Sequence, residues 1–190
     1  MKKRFVAFLL AIVAVLGASG ISAYNGLNKD IQKTEMLYFD GVKKDGYRHP
    51  SIESQMKIKY QSLNNVITIL DDYPELTETA EALAGSRDAI AGFFNDYRKD
   101  TVSGMSIANR MLEDTLSRAK QEMEGVSFTE KQQKILDACF SDLAGAQNMI
   151  EQSGYNEAVR AFNAGTMQKF PAHLLSGLSW ETRHGADYFN

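Results

Sequence analysis

Apolar residues recur at steps of three and four along most of the chain. This spacing places them on one face of an α-helix, so it predicts amphipathic helices. One continuous stripe comprises Ile52, Met56, Tyr60, Leu63, Ile67 and Leu70. Ser51 stands directly before it and predicts the start of that helix. No stretch of useful length shows the period of two that is typical of strands, and the pattern therefore predicts an all-α protein.

Scarce prolines and glycines mark where the helices are expected to stop. Gly46 and Pro50 end the first helix, and Pro74 ends the second, because the residue before a proline is pushed out of helical geometry. A third helix is predicted over residues 75–98. A bend or short turn is predicted over residues 101–106, which are polar and contain a glycine.

The later helices are also expected to bury one face each. The third should turn inward Leu76, Ala80, Leu83, Ile90, Phe94 and Tyr97, and the fourth Met105, Ala108, Leu112, Leu116, Ala119 and Met123. The last carries Leu136, Phe140, Leu143 and Ile150, then Tyr155, Val159, Phe162 and Thr166. A phase slip near Gly154 predicts a gentle bend or a π-bulge within it. Short connections between such helices predict an antiparallel, up-down four-helix-type bundle.

The sequence of the N-terminus predicts a membrane segment. Residues 2–4 are basic and residues 5–25 carry no charge, which is about the length that a helix needs to cross the hydrocarbon core. The positive-inside rule makes residues 1–4 a cytoplasmic stub and residues 5–24 a transmembrane anchor, with the body outside. Because Tyr24, Leu27 and Ile31 keep helical spacing, we expect the anchor to continue into the first bundle helix.

A cleaved signal sequence is the alternative for the same segment. A basic start, an apolar centre and small residues between Ala18 and Ala23 are also the parts of a secretory signal. A buried helix of a soluble protein is the third interpretation, and the sequence leaves all three open.

Composition removes several classes of function. The single cysteine, Cys139, excludes a disulfide framework and a cysteine-cluster metal site, and it is expected to pack as a small apolar residue. A net charge of −3, with both signs interspersed, gives no surface for nucleic acid. The histidines, His49, His173 and His184, lack the spacing of a helical metal site. We therefore predict no catalytic, cofactor-binding or metal-binding residues, and no enzyme.

Four segments together resemble the LemA family, of which the chain would be a divergent member. They are Tyr24-Asn25-Gly26-Leu27, the run from Tyr155-Asn156 through Val159 and Phe162 to Asn163, Phe170-Pro171, and Tyr188-Phe189. The resemblance covers nearly the whole chain, with residues 25–171 as a LemA-like helical bundle and residues 172–190 as a C-terminal tail. It implies a bacterial single-pass protein of the inner (cytoplasmic) membrane, with no established catalytic activity and no cofactor.

The motif residues also have a physical interpretation. Asn156 and Asn163 are seven residues apart and share a helix face. They could form hydrogen bonds with a neighbouring helix and fix its register, or they could contact a partner. The tail aromatics, Trp180 with Tyr188-Phe189, could cap the end of the bundle or stay exposed, and we favour the cap.

Two functions are compatible with these features. The first is a non-enzymatic, membrane-anchored scaffold or interaction protein of the bacterial cell envelope, in contact with the bilayer through residues 5–24 and with a protein partner or further copies of itself. The second is an envelope bundle that binds a small ligand as a sensor and acts through a partner protein.

Overall fold

The computed structural model describes residues 2–44, 46–94, 101–169, 172–175 and 185–189. Its helices are α1 (Lys2–Glu35), α2 (Leu37–Asp40), α3 (Ile52–Leu70), α4 (Thr77–Ala91), α5 (Thr101–Met123), α6 (Glu130–Glu151), α7 (Tyr155–Gly165) and α8 (Ala172–Leu175). A 3₁₀ turn, Pro74–Leu76, precedes α4. Two short antiparallel strands, β1 (Lys43–Lys44) and β2 (Tyr47–Arg48), form a hairpin that the sequence pattern did not predict. The prediction of a mainly α-helical protein is confirmed.

The chain divides into two compact units. The first comprises Met1–Met36 and Glu157–Asp187, and the second comprises Leu37–Asn156 and Tyr188–Asn190. Within the first unit, α1 lies beside α8. Leu27 is buried, as the helical spacing after residue 24 predicts. Helix α1 ends at Glu35, earlier than the expected break at Gly46.

The predicted membrane anchor lies within α1. Among the residues that the structure describes, no helix is both long and apolar enough to cross a membrane. The side chains of residues 2–14 and 16 lie outside the described part of the chain, and they make up most of the segment 5–24. The anchor stays a prediction.

Helix α3 organises the second unit. It packs against both α4 and α6, and α4 packs in turn against α5. Ser51 caps it as predicted, since its side chain accepts a hydrogen bond from the backbone N–H of Ser54 at 3.1 Å. The α3 stripe is buried except at Tyr60, which is half-buried. Its neighbour Lys59 is buried instead.

The connection from α4 to α5 differs from the prediction. Helix α4 ends at Ala91, and residues 95–100, with Tyr97, lie outside the described residues. The predicted bend at 101–106 is wrong, because these residues already belong to α5. Gly104 serves close packing rather than a turn. A Cβ at this position would overlap the ring of Phe93.

The structure divides the last predicted helix into two separate helices, α6 and α7. Gly154 adopts a φ of +74°, which an α-helix cannot contain, so α6 and α7 are separate and the prediction of a gentle bend is wrong. The Ser153 hydroxyl accepts a hydrogen bond from the backbone N–H of Tyr155 at 3.3 Å, where α7 begins. The phase slip in the hydrophobic pattern therefore marks a helix end followed by a new start.

The conformation of Gly154 gives a first testable prediction. Gly154→Ala is expected to lower the free energy of unfolding by about 1 kcal/mol, because a positive φ strains an L-residue. Gly145→Ala is the control. It lies on α6, where no neighbouring helix or loop comes within 4 Å of an added Cβ, and the substitution should raise stability by up to about 1 kcal/mol. Urea denaturation measures both, and shifts in the same direction would contradict this account.

Candidate functional site

The most unusual residue of the second unit is a fully buried lysine. The Nζ atom of Lys59 donates hydrogen bonds to Asn109 Oδ1 at 2.7 Å, Glu113 Oε1 at 2.6 Å and Gln147 Oε1 at 2.6 Å. An ammonium group has three N–H donors, so these acceptors use all of them. Helices α3, α5 and α6 therefore meet at one charged group.

A wider polar network surrounds this ammonium group. Gln147 Oε1 also accepts from Asn109 Nδ2 at 3.3 Å, and Gln147 Nε2 donates to Glu151 Oε1 at 2.9 Å. We call these five residues, Lys59, Asn109, Glu113, Gln147 and Glu151, the Lys59 network. Burial lowers the pKa of Lys59, while the hydrogen bond and charge of Glu113 and the charge of Glu151 act in the opposite direction. The carboxylates thus favour the charged lysine inside the protein.

Sequence reasoning missed this network, although it left one signal. Lys59 stands three residues after Met56 and four before Leu63. These steps of three and four place it on the inward face of α3 as well as Tyr60. The pattern predicts Tyr60 as the inward residue at this turn, and lysine is almost never fully buried without a partner. The partners lie on helices far along the chain, and the local pattern could not identify them.

A groove runs beside the network, between α5 and α6. Its volume is about 310 Å³. The residues that line it are Glu113, Leu116, Ser117, Lys120, Phe140, Leu143, Ala144, Gln147 and Asn148. The Lys120 Nζ atom lies 5.1 Å from the centre of the Phe140 ring, within the range of a cation–π contact. Four of these nine residues are apolar and five are polar, so the groove is more polar than a typical small-ligand site.

The remaining candidates for chemistry occupy other places. Cys139 is buried, as expected, and burial is the main cause that raises the pKa of its thiol, which disfavours the reactive thiolate. His49 is half-buried and His173 is exposed. His184 lies outside the described residues. In the part of the chain that the structure describes, no group of three or more acidic, histidine or cysteine side chains could hold a metal.

Within the first unit, Asn163 contacts the C-terminal segment. Its Nδ2 donates to the Ala186 carbonyl and its Oδ1 accepts from the Ala186 N–H, both at 3.0 Å. Val159 is fully buried and Phe162 is half-buried. In α1, the motif residues differ in exposure: Tyr24 is half-buried, Asn25 is exposed and Leu27 is buried.

Within the second unit, Asn156 forms an equivalent contact with Phe189. Its Oδ1 accepts from the Phe189 N–H at 2.8 Å, and its Nδ2 donates to the Phe189 carbonyl. Both motif asparagines thus bind the backbone of the C-terminal segment. The sequence could not identify a backbone partner, because backbone atoms leave no residue-specific signal. Phe170 and Pro171 lie outside the described residues.

The two terminal aromatic residues have different environments. Tyr188 is 37% exposed, whereas Phe189 is 3% exposed. Tyr38 lies beside Phe189, with ring centres 5.8 Å apart, and it also makes an edge contact with Tyr155 at 6.5 Å. Among the aromatic residues that were expected to cap the bundle, Phe189 is therefore buried. Trp180 lies outside the described residues.

The hydroxyl of Tyr38 is an exception to the general pairing of buried polar groups. Tyr38 is fully buried, and its hydroxyl has no hydrogen-bond partner among the described residues. Burial, with a smaller contribution from the charge of Glu53, raises the pKa of this phenol well above its usual range. The hydroxyl therefore stays protonated, and its desolvation is a cost to folding.

Tyr38→Phe tests this conclusion. We expect a gain of about 1 kcal/mol in the free energy of unfolding, because the variant buries the same ring without the unpaired hydroxyl. Tyr73→Phe is the matched control. The Tyr73 hydroxyl donates to Gln132 Oε1 at 2.8 Å, so its removal should cost about 1 kcal/mol. Thermal and urea denaturation measure both variants. A loss of stability in Tyr38→Phe would contradict the assignment.

Comparison with known proteins finds no relative of this chain. No family model, no curated protein and no solved structure matches it. The resemblance to the LemA family therefore depends on the sequence motifs alone.

Proposed function

We propose that this chain is a LemA-like, single-pass protein of the bacterial inner membrane that acts as a non-enzymatic scaffold or interaction protein. In this proposal, residues 5–24 anchor it in the bilayer and residues 1–4 face the cytoplasm. Helices α3 to α6 form an up-down four-helix-type bundle outside the membrane. Short connections at residues 71–76 and 124–129 support antiparallel neighbours.

The observation that carries the proposal is the continuity of α1. This helix has 34 residues without a break. Its N-terminal part contains the uncharged residues 5–25, and the same helix buries Leu27 and Ile31 within the first unit. A helix with an apolar first half and a polar second half has the sequence character of an anchor that extends into a body.

The Lys59 network supports a structural role for the bundle interior. All three donors of the ammonium group are used by internal acceptors, which leaves none for a substrate. Buried polar groups of this kind can specify one arrangement of helices over alternatives. We propose that the network fixes the register of α3, α5 and α6, and that partners bind to the outside of the bundle.

Cross-linking in intact bacteria tests the scaffold role. The full chain is expected to remain in the membrane fraction and to form a cross-linked complex with a protein partner or with itself. The control carries Leu10→Arg and Val13→Arg, since each arginine at the centre of a span costs about 2.5–3.5 kcal/mol. It should leave the membrane and lose the complex. A wild-type chain found in the soluble fraction, or one without any cross-linked protein, would overturn the proposal.

A small-ligand sensor is the second candidate, and the groove between α5 and α6 favours it. The groove offers Phe140 and Leu143 as an apolar wall and Lys120 as a cation. Native mass spectrometry of the purified chain should then show a bound non-protein mass. Ala144→Trp would fill the groove and remove that mass, whereas Ala82→Trp, on the exposed side of α4, would leave it in place. A chain purified without any bound mass would contradict this function.

A further inference from the structure

A short hairpin of the second unit places two basic side chains directly opposite each other. Strands β1 and β2 pair antiparallel, with Lys43 opposite Arg48 and Lys44 opposite Tyr47. All four residues are exposed. Like charges that lie directly opposite on an antiparallel pair repel each other and destabilise the pairing. This hairpin, which we call the basic hairpin, therefore carries a charge arrangement that opposes its own folding.

The register of the basic hairpin brings these two charges close together. The backbone N–H of His49 donates to the Val42 carbonyl at 2.8 Å, at the position next to Lys43 and Arg48. Hydrogen-bonded and non-hydrogen-bonded pairs alternate along an antiparallel ladder, so Lys43 and Arg48 form a non-hydrogen-bonded pair, in which side chains are closer. Among the described residues, no acidic side chain forms an ion pair with either of them.

Two glycines fix the backbone of the basic hairpin. Gly41, directly before it, adopts a φ of +76°, and a Cβ at this position would overlap the His49 carbonyl. In the turn, Gly46 adopts a φ of +83°. Glycine adopts such angles without steric cost. The sequence thus specifies a tight hairpin at this place, with its basic residues held at the surface.

An aromatic residue indicates which kind of partner fits this surface. Tyr47 is 80% exposed, more than any other large hydrophobic residue that the structure describes. Tyrosine is enriched at membrane–water interfaces, where its ring lies among the lipid headgroups. Basic residues near a bilayer are attracted to the phosphates of anionic lipids. An exposed tyrosine between basic residues is therefore complementary to an anionic lipid surface.

The position of the basic hairpin in the chain favours a membrane over an acidic protein as the partner. Only residues 25–42 separate it from the proposed anchor at residues 5–24. A short connection keeps a second binding element at a high effective concentration near the surface that holds the first. Weak individual contacts with headgroups are then sufficient for docking.

We propose that the basic hairpin docks on anionic phospholipid headgroups, with a lipid phosphate between Lys43 and Arg48. A shared anion replaces the repulsion of the two cations by attraction, and arginine can bind a phosphate with two parallel hydrogen bonds. Successive side chains of a strand alternate between its faces, so Tyr47 lies on the opposite face from this pair. The hairpin therefore approaches the membrane with its turn first, and both faces reach the headgroups. The inference rests on the proposed anchor and adds a second contact with the bilayer.

Fluorescence quenching in vesicles tests the docking in the full chain. Tyr47→Trp combined with Trp180→Phe places the only indole of the chain in the basic hairpin. This parent chain is reconstituted into vesicles of phosphatidylcholine alone or with an equal part of phosphatidylglycerol, and brominated phosphatidylcholine in both quenches an indole that reaches the lipid. Quenching should be at least about twofold stronger with the anionic lipid. The difference should disappear at about 1 M salt, where the Debye length falls to about 3 Å. Equal quenching in both lipids would overturn the proposal.

Charge reversal tests the role of the basic pair. Lys43→Glu with Arg48→Glu should reduce quenching in anionic vesicles to the level in neutral vesicles. Arg118→Glu with Lys131→Glu is the matched control, since it changes the net charge equally at two exposed positions on α5 and α6, and it should leave the quenching in place. If the first variant loses its helical circular dichroism, Lys43→Gln with Arg48→Gln replaces it, with the same expected direction. Equal loss in the reversal variant and its control would contradict a specific site.

Two further outcomes identify a different partner. Millimolar inorganic phosphate, added to the parent chain in neutral vesicles, should leave the emission of the introduced indole unchanged. If phosphate shifts this emission as anionic vesicles do, the site binds a free anion and lipid docking is overturned. If the reversal variant loses the cross-linked complex in bacteria while quenching is the same in both lipids, the hairpin binds an acidic protein instead.

The anchor and the docking fail in different ways. Carbonate washing of the same vesicles reports the anchor independently of quenching. A chain that resists carbonate but shows no effect of the anionic lipid supports the anchor and overturns the docking. A chain that carbonate removes, but that is quenched more strongly in anionic vesicles before the wash, contradicts the anchor and supports the docking.

Discussion

Replacing Lys59 by alanine is expected to lower the free energy of unfolding by about 3–4 kcal/mol. The variant removes a fully buried side chain, so a cavity remains where its aliphatic stem packed. It also leaves the buried oxygen of Asn109 without the ammonium donor that it accepts from at 2.7 Å. The Glu113 carboxylate contributes less to this loss, because it is 40% exposed and can be hydrated by solvent.

Lys59→Met separates the contribution of the aliphatic stem to stability from the contribution of the charged amine. Methionine keeps a flexible apolar stem of similar length, so no large cavity forms. We expect a loss of about 1–2 kcal/mol, which comes from the acceptors left unpaired. Urea denaturation followed by circular dichroism measures both variants. If alanine and methionine at position 59 have the same stability as wild type, the lysine is not the structural centre of the second unit.

Glu113→Ala is expected to cost about 2–3 kcal/mol near pH 7. Removing one partner of a fully buried ion pair typically costs about 3–5 kcal/mol. The smaller value follows from the partial exposure of Glu113. Lys59 keeps Asn109 and Gln147 as acceptors but loses its carboxylate. Glu113→Gln preserves an acceptor without the charge, and we expect about half the loss.

The pH dependence of Glu113→Ala has a definite sign. Burial already lowers the pKa of Lys59, and Glu113 opposes this effect, so its removal lowers the folded-state pKa further. Between that pKa and the unfolded value of about 10.4, the unfolded chain binds the additional proton, and stability rises with pH. The deficit of the variant relative to wild type should therefore shrink as the pH rises from 7 towards 10.

Two controls accompany this measurement. The stability of Lys59→Met should not contain this rise with pH, because the variant has no titrating amine at position 59. The double variant, Lys59→Met with Glu113→Ala, should lose less than the sum of the single variants, since the two residues are in direct contact. A pH-independent deficit in Glu113→Ala would contradict a charged Lys59 inside the bundle.

Much of the helical architecture could be predicted from local pattern. Ser51 and Pro74 marked real boundaries, because capping and proline geometry act within a few residues. Two glycines have roles opposite to those that the sequence pattern predicts. Gly104 lies within α5, where tertiary packing against Phe93 explains it, whereas Gly154 divides a helix that was expected to be continuous. Sequence spacing cannot distinguish these roles without the neighbouring element.

The candidate sites were less predictable than the helices, because their contacts also depend on elements that are distant in the sequence. Asn156 and Asn163 form hydrogen bonds with backbone atoms of the C-terminal segment, and a pattern of side chains does not specify a backbone partner. The acceptors of Lys59 lie 50 to 88 residues away from it in the sequence. Such pairs depend on how the helices assemble, and a local pattern contains no information about that.

Intact-mass measurement of the chain in carbonate-washed bacterial membranes tests the central proposal most directly. Carbonate removes peripheral proteins, and an intact mass identifies the first residue of the mature chain. The account predicts a protein that resists extraction and keeps residues 5–24 at its N-terminus. A chain released by carbonate, or one whose mass shows that it begins after residue 23, would contradict the anchored scaffold and favour a cleaved signal sequence.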